Sequence, residues 1–282
     1  MTSLKRKLYT ISPLACDWSM RLYASTPLAK RRRADALQRI KVTLAERLSQ
    51  ELELLRKIGQ RDLTVLNGPF RGMRYMASSS GSMLGAKLVG SYESQLQKWI
   101  EAAVDTGYER VIDIGCAEGF YAVGLALKLP AAKVIAFDTN PEALKLLGEL
   151  AALNGVGSRM DARLECTPSV LRTLAVGKTL IICDVEGAEG ELFSVENVPA
   201  LATADAIIET HDDQIPGITQ RLIARFVDTH KIEVVFHERK EPGRYPQLAA
   251  LSASEAMFLL DEKRVPDQCW LRLLSYARRD RA

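Results

Sequence analysis

From residue 109 onward, short apolar runs alternate with segments of helical periodicity, and this alternation limits the folds open to the chain. The runs are VIDIG (111–115), KVIAFD (133–138), RLEC (163–166), TLIICD (179–184), DAIIET (205–210) and IEVVF (232–236), with CWLRLLSY (269–276) last. Most are continuous and rich in β-branched residues. Such runs mark strands covered on both faces, hence a parallel sheet between layers of helix. The boundaries agree. Asn140-Pro141 supplies an N-cap and a first-turn proline, Asn154-Gly155 closes the same helix, and Ser252 with Glu255 forms a capping-box pattern. The expected fold is α/β: a doubly wound, Rossmann-like sheet of about seven strands, mostly parallel with the last antiparallel.

An N-terminal helical extension precedes it. Residues 1–60 carry thirteen Lys and Arg against five Asp and Glu, although the whole chain of 282 residues is only +3. Leu37, Ile40, Leu44, Leu48, Leu52 and Leu55 recur at helical spacing within 30–58, and Gly59 is placed to end that helix. We divide the chain into a basic helical extension, 1–66, and a main domain, 67–282. Within 30–58 no aromatic residues interleave the basic ones, which argues against a nucleic-acid arm and for a helix that packs on the domain or pairs two chains in a homodimer. Residues 67–91 read as turns, with Ser78–Ser82 a flexible loop, and a helix begins near Ser91 with Tyr92, Leu96, Trp99, Ile100 and Ala103 on one face. Residues 67–95 and 240–266 are left to wall the substrate.

No apolar run approaches the roughly 18 residues of a membrane helix. Cys16, Cys116, Cys166, Cys183 and Cys269 are odd in number and widely spread, without metal spacing, which suits reduced thiols. The expectation is a soluble, cytoplasmic protein without a membrane partner.

In an open α/β sheet the ligand lies beyond the carboxyl ends of the strands, so the residues after each strand matter most. After the first come Asp113, Gly115, Cys116, Ala117 and Gly119. A dinucleotide fingerprint would need glycines at 117 and 120, where Ala117 and Phe120 stand, which argues against a dehydrogenase. A carboxylate and bare backbone suit an α-amino acid end better than a pyrophosphate. Asp138, followed by Thr139 and Asn140, ends the second strand, where a carboxylate can accept both hydroxyls of a ribose. After the fourth strand stand Asp184 and Glu186; Glu189 and Glu191 read as the acidic first turn of a helix. After the fifth stands His211, whose ring can take a proton near neutral pH. His230, read late in a helix, and His237, in a late strand, are structural. Asp184, Glu186, His211 and Asp212 offer an alternative as ligands of a divalent metal.

DIGCAEG, AFDTNPEA and LNGV together resemble the class I S-adenosylmethionine-dependent methyltransferases. LIICDVEGAE and the trailing IIETH are similar to the FkbM-type branch, largely O-methyltransferases of sugars and natural products. The resemblance covers residues 109–240. It implies that Asp113, Gly115 and Gly119 meet the methionine end of S-adenosylmethionine, Asp138 the ribose, and Asp184 the acceptor side. Ala117 replaces the usual middle glycine. The expected reaction is O-methylation of a hydroxyl on a small molecule or sugar, with His211, Asp184 and Glu186 catalytic. Two alternatives are an RNA methyltransferase docking through the basic segment and a non-catalytic assembly protein that keeps the fold.

Overall fold

The computed structural model describes residues 43–264 and 267–279. Contacts divide the chain into Met1–Gln50 and Glu51–Ala282. Of the first unit, residues 43–50 are described and helical, and the helix runs on to residue 57. Leu44 is 50% exposed whereas Leu54 and Leu55 are buried, and Gly59 follows at φ +83°. Leu37, Ile40 and Cys16, most of the basic residues of 1–60 and residues 30–42 of the proposed dimer helix lie outside the described residues.

The second unit is built on one seven-stranded sheet: β1 (Arg110–Ile114), β2 (Lys133–Phe137), β3 (Met160–Arg163), β4 (Thr179–Cys183), β5 (Asp205–Thr210), β6 (His230–Phe236) and β7 (Cys269–Ser275). Their order is β3-β2-β1-β4-β5-β7-β6. β7 runs antiparallel to both neighbours, and the other pairings are parallel. The order reverses between β1 and β4, the place where such sheets open a crevice.

Side-chain alternation divides the sheet into two faces. Ile112, Ile114, Ile181, Cys183, Ile208 and Leu271 join Leu171, Phe193, Leu222 and Phe226 from the helices in one buried cluster. Val111 and Asp113 point to the other face. The expected caps form: Asn140 Oδ1 accepts from Glu142 N at 3.1 Å, and Ser252 and Glu255 make both bonds of the capping box.

Three expectations need correction. The third strand is Met160–Arg163 and not 163–166, with residues 161–163 exposed. It is an edge strand bonded on one side only, so nothing demands an apolar run there. β6 is likewise an edge, and its Val234 and Phe236 are 41% and 57% exposed. His230 opens that strand instead of ending a helix, with Nε2 2.9 Å from Ala204 O, and His237 lies just beyond it. Among the described residues no helix is long and apolar enough to cross a membrane. Cys116, Cys166, Cys183 and Cys269 are free thiols.

Register makes the site. Ile114 pairs with both Phe137 and Cys183, and Cys183 with Ile208, so Gly115, Asp138, Asp184 and Glu209 emerge at one level. Gly115 (φ +80°) passes so close to β4 that a Cβ there would lie 1.6 Å from Asp184 O. We therefore expect Gly115→Ala to cost about 3 kcal/mol or more in urea unfolding. Gly59→Ala, with equal backbone strain but nothing within 4 Å, should cost only about 1–2 kcal/mol.

Candidate active site

The crevice beyond β1, β2, β4 and β5 is a cavity of about 710 Å³, within the range of small-molecule and cofactor sites. Asp113, Gly115, Cys116, Ala117, Asp138 and Thr139 line one part of it; Asp184, Glu186 and His211 line another. Both expected wall segments also contribute, through Ser80–Met83, Lys87, Tyr92, Glu93 and Arg264.

The turn after β1 is held by its backbone. Gly115 N and Cys116 N both donate to Phe137 O, at 2.8 and 2.9 Å. Ala117 sits at φ +48°, a left-handed conformation that costs a non-glycine residue roughly 1–2 kcal/mol. Its N–H donates to Asp138 Oδ2 at 2.9 Å, and Asn140 N donates to Asp138 Oδ1 at 2.8 Å. Each carboxylate oxygen keeps a lone pair for a ligand. Asn140 and Gly119 do not line the cavity: the amide of Asn140 is the helix cap, and Gly119 caps the helix Phe120–Lys128.

Asp113 is 3% exposed, and its Oδ2 is buried with no hydrogen-bond partner. Burial chiefly lifts its pKa to about 7; the backbone bond from Ala122 opposes this, and Asp184, Asp138 and Glu93 add to it. A cationic group arriving there would supply the missing partner. Cys116 lines the same turn, but burial pushes its thiol far up, so it remains protonated and unreactive.

At the other end, His211 is 4% exposed. Its Nδ1 is bonded to Glu189, which has no exposed surface. A carboxylate has no proton to give, so Nδ1–H donates and Nε2 is left facing the cavity. Nε2 lies 3.5 Å from Asp184 Oδ1, 3.5 Å from Glu186 Oε2 and 3.7 Å from Glu209 Oε1. Burial disfavours the charged ring, but the bond to Glu189 and the charges of Asp184, Glu189 and Glu186 outweigh it, so its pKa rises above the usual value. Burial raises Asp184 to about 6 against the pull of Arg264. Burial, then Asp184 and Glu93, raise Glu209 well above the carboxylate range. Glu186 stands at φ +51° and accepts from Gln214 Nε2 at 2.7 Å.

Asp212 does not join this group. Its carboxylate accepts from Gly217 N at 3.0 Å and from Thr219 Oγ1, at the start of the helix Ile218–Phe226. Glu191 is an exposed first-turn residue, as expected, but Glu189 is the buried partner of the histidine.

Two further sets of residues escaped the sequence reading. Glu118, fully buried, accepts from Tyr75 Oη at 2.6 Å, Ser79 Oγ at 2.9 Å, Ser80 N at 3.0 Å and from Lys87. Burial alone would raise its pKa, but the Lys87 charge and these bonds hold it below the usual value. The Ser78–Ser82 loop, expected to be flexible, is thereby pinned to the turn after β1. Arg264 bonds Glu209, Glu93 and, at 2.9 Å, Tyr92 Oη. Both sets join residues far apart in sequence, and no local pattern announces them.

Residues 95–183 match the family model of the ribosomal protein L11 methyltransferase (PrmA). Among curated relatives, the release factor glutamine methyltransferase of Cereibacter sphaeroides is 45% identical over 65 residues, 23% of this chain and 23% of that protein. The ribosomal protein L11 methyltransferase of Enterobacter sp. is 29% identical over 126 residues, 41% of this chain and 42% of that protein. The chain thus spans less than half the length of the curated relatives it matches. Among solved structures, the O-methyltransferase TomG of Streptomyces achromogenes in complex with SAM gives a TM-score of 0.43 at 13% identity, covering 82% of this chain and 90% of that one. The O-methyltransferase of Bacillus cereus in complex with SAH gives 0.44 at 10%, covering 80% and 91%.

The histidine dyad makes a prediction. Because the folded pKa of His211 is raised, its charged form stabilises the fold fully below pH about 6.5, and that contribution is lost as pH rises through the raised value. Glu189→Gln should lower the imidazole pKa by roughly 1–3 units, read by NMR titration of the ring.

Proposed function

We propose that this chain is an S-adenosylmethionine-dependent methyltransferase whose acceptor is a hydroxyl on a small molecule or sugar, as in the FkbM-type branch. The observation that carries the reading is one cavity, lined at one part by Asp113, the 115–117 turn and Asp138, and at another by Asp184, Glu186 and His211. The unpartnered Asp113 carboxyl suits the ammonium of the cofactor's methionine end. Asp138, with a lone pair left on each oxygen, suits the ribose hydroxyls. S-adenosylmethionine, when bound, supplies a methyl group on a sulfonium. The remaining work falls to the protein. The cavity wall holds the acceptor in line and limits water, where most of the rate enhancement of such a transfer arises. Asp184, Glu186 and His211 meet the acceptor hydroxyl and ease the removal of its proton.

A protein acceptor is the second reading, favoured by the match to the L11 methyltransferase model. That match stops at Cys183, one residue before the first of the acceptor-side groups. It therefore supports the cofactor half of the site and is silent on the acceptor half. The carboxylate–histidine dyad suits a hydroxyl, whose proton is held tightly, more than an amine that is already nucleophilic once neutral.

Calorimetry and a methyl-transfer assay test this. Asp138→Ala should weaken S-adenosylmethionine binding tenfold or more, the loss of about 1.5–3 kcal/mol in hydrogen bonds to a charged group. His211→Ala should keep cofactor affinity and lose roughly 10²–10⁴-fold in rate. Unchanged affinity in Asp138→Ala would remove the ribose assignment. Transfer to ribosomal protein L11 in preference to hydroxylated small molecules would decide for the second reading.

A further inference from the structure

We infer that Asp184, Glu186 and His211 hold a hard divalent cation, with Glu189 fixing the histidine from behind. One ligand atom from each of the three lies within 4.8 Å of the other two, and the imidazole nitrogen is 3.5 Å from either carboxylate oxygen. Bonds of about 2.0–2.2 Å to a common ion require only a small closing movement. Glu186, whose side chain is 73% exposed, has room to make it, exchanging its surface bond from Gln214 Nε2 for the ion.

Two features point to an ion and not merely to neighbouring acids. The first is the histidine itself. It is 4% exposed, and its Nε2 stands 3.5 Å from both carboxylates, longer than an ordinary hydrogen bond. Its Nδ1 is bonded to the buried Glu189, the carboxylate–histidine pairing that orients metal-ligating imidazoles and fixes their tautomer. The second is Asp184, whose Oδ1 is buried and unpartnered on the same side. Charge favours the same occupant. Asp184, Glu186, Glu209 and Glu93 line the cavity and Glu189 stands behind the histidine, while the cations beside them are already paired: Arg264 with Glu209 and Glu93, Lys263 with Asp261. Two carboxylates and one imidazole suit Mg²⁺, Mn²⁺ or Zn²⁺.

The inference rests on the methyltransferase reading only for what the ion does. There it would bind the acceptor oxygen and lower the pKa of that hydroxyl, so that its proton leaves to solvent before the O–CH₃ bond forms and the S–CH₃ bond breaks. His211 is then a ligand and not the proton acceptor.

The probe is Mn²⁺ added to chelator-treated full-length protein, followed by calorimetry and electron paramagnetic resonance. We expect one ion per chain with a dissociation constant on the order of 10⁻⁶–10⁻⁵ M. Glu186→Gln, at an exposed position that cannot threaten folding, should weaken it at least tenfold, and Asp184→Asn with Glu186→Gln should abolish it. Glu189→Gln should weaken it about 10–100-fold through the histidine alone. Asp138→Ala should bind Mn²⁺ as the wild type does. No Mn²⁺ binding by the wild type, or full binding by the double variant, overturns the site. S-adenosylhomocysteine affinity, measured on the same samples, separates the two readings. Mn²⁺ binding without it removes the methyltransferase proposal and keeps the ion; the converse removes the ion alone.

Discussion

Everything in the site depends on the level register of four parallel strand ends. Because Ile114, Phe137, Cys183 and Ile208 stand side by side, the chain leaves the sheet at β1, β2, β4 and β5 on one line. The closeness of β1 and β4 sets the line. Asp184 N donates to Ile114 O at 2.9 Å, while Gly115 passes against the Asp184 carbonyl with no room for a side chain. A slip of one residue would send Asp113 to the opposite face and take Asp184 out of reach of His211, since strand side chains alternate. The apolar cluster beneath, from Ile112 to Phe226, is what makes such a slip costly.

Above that level the walls are held by buried charge. Lys87 and Glu118, 2% and 0% exposed, tie the segment before the sheet to the turn after β1. Arg264 ties the chain before β7 to the ends of β5 and of residues 92–93. Burying such groups is expensive, and apolar residues of like volume would often serve stability as well or better. What the ion pairs add is direction. A carboxylate that accepts from a tyrosine, two serine groups and a lysine has one orientation, so the loop it holds has one position. A cavity that must align two reactants needs walls of that kind.

How much of this was legible in the sequence follows from how local each signal is. β1, β2, β4 and β5 were readable because they are buried on both faces and must be apolar. β3 was misplaced because an edge strand needs only backbone partners; its sequence, MDAR, carries no pattern of its own. His230 reads as helical because the three turn residues before β6, Val227 to Thr229, look like the end of a helix. Asp113, Asp138, Asp184 and His211 could be singled out because the rule that ligands sit at strand ends is itself local. Glu118, Lys87, Glu93 and Arg264 were not, since each acquires meaning only from a partner tens of residues away. Glu189 is the instructive case. Its place in the first turn of a helix was read correctly, yet that place does not reveal that the turn delivers it, fully buried, to the back of His211.

The two parts of the cavity are electrostatically alike, and this bears on what occupies it. Asp113 at one and Asp184 with Glu209 at the other are all pushed toward protonation, by burial first and then by neighbouring carboxylates. A fold that gathers carboxyls in this way gives up stability unless something positive arrives. Any cation that binds here, whether an ammonium, a sulfonium or a metal ion, relieves that cost as it binds, so part of its affinity comes from the protein's own unfavourable free state. Binding and folding are then linked: an occupant that prefers the folded chain stabilises it in proportion to its saturation. The same repulsion disfavours anionic occupants such as a pyrophosphate.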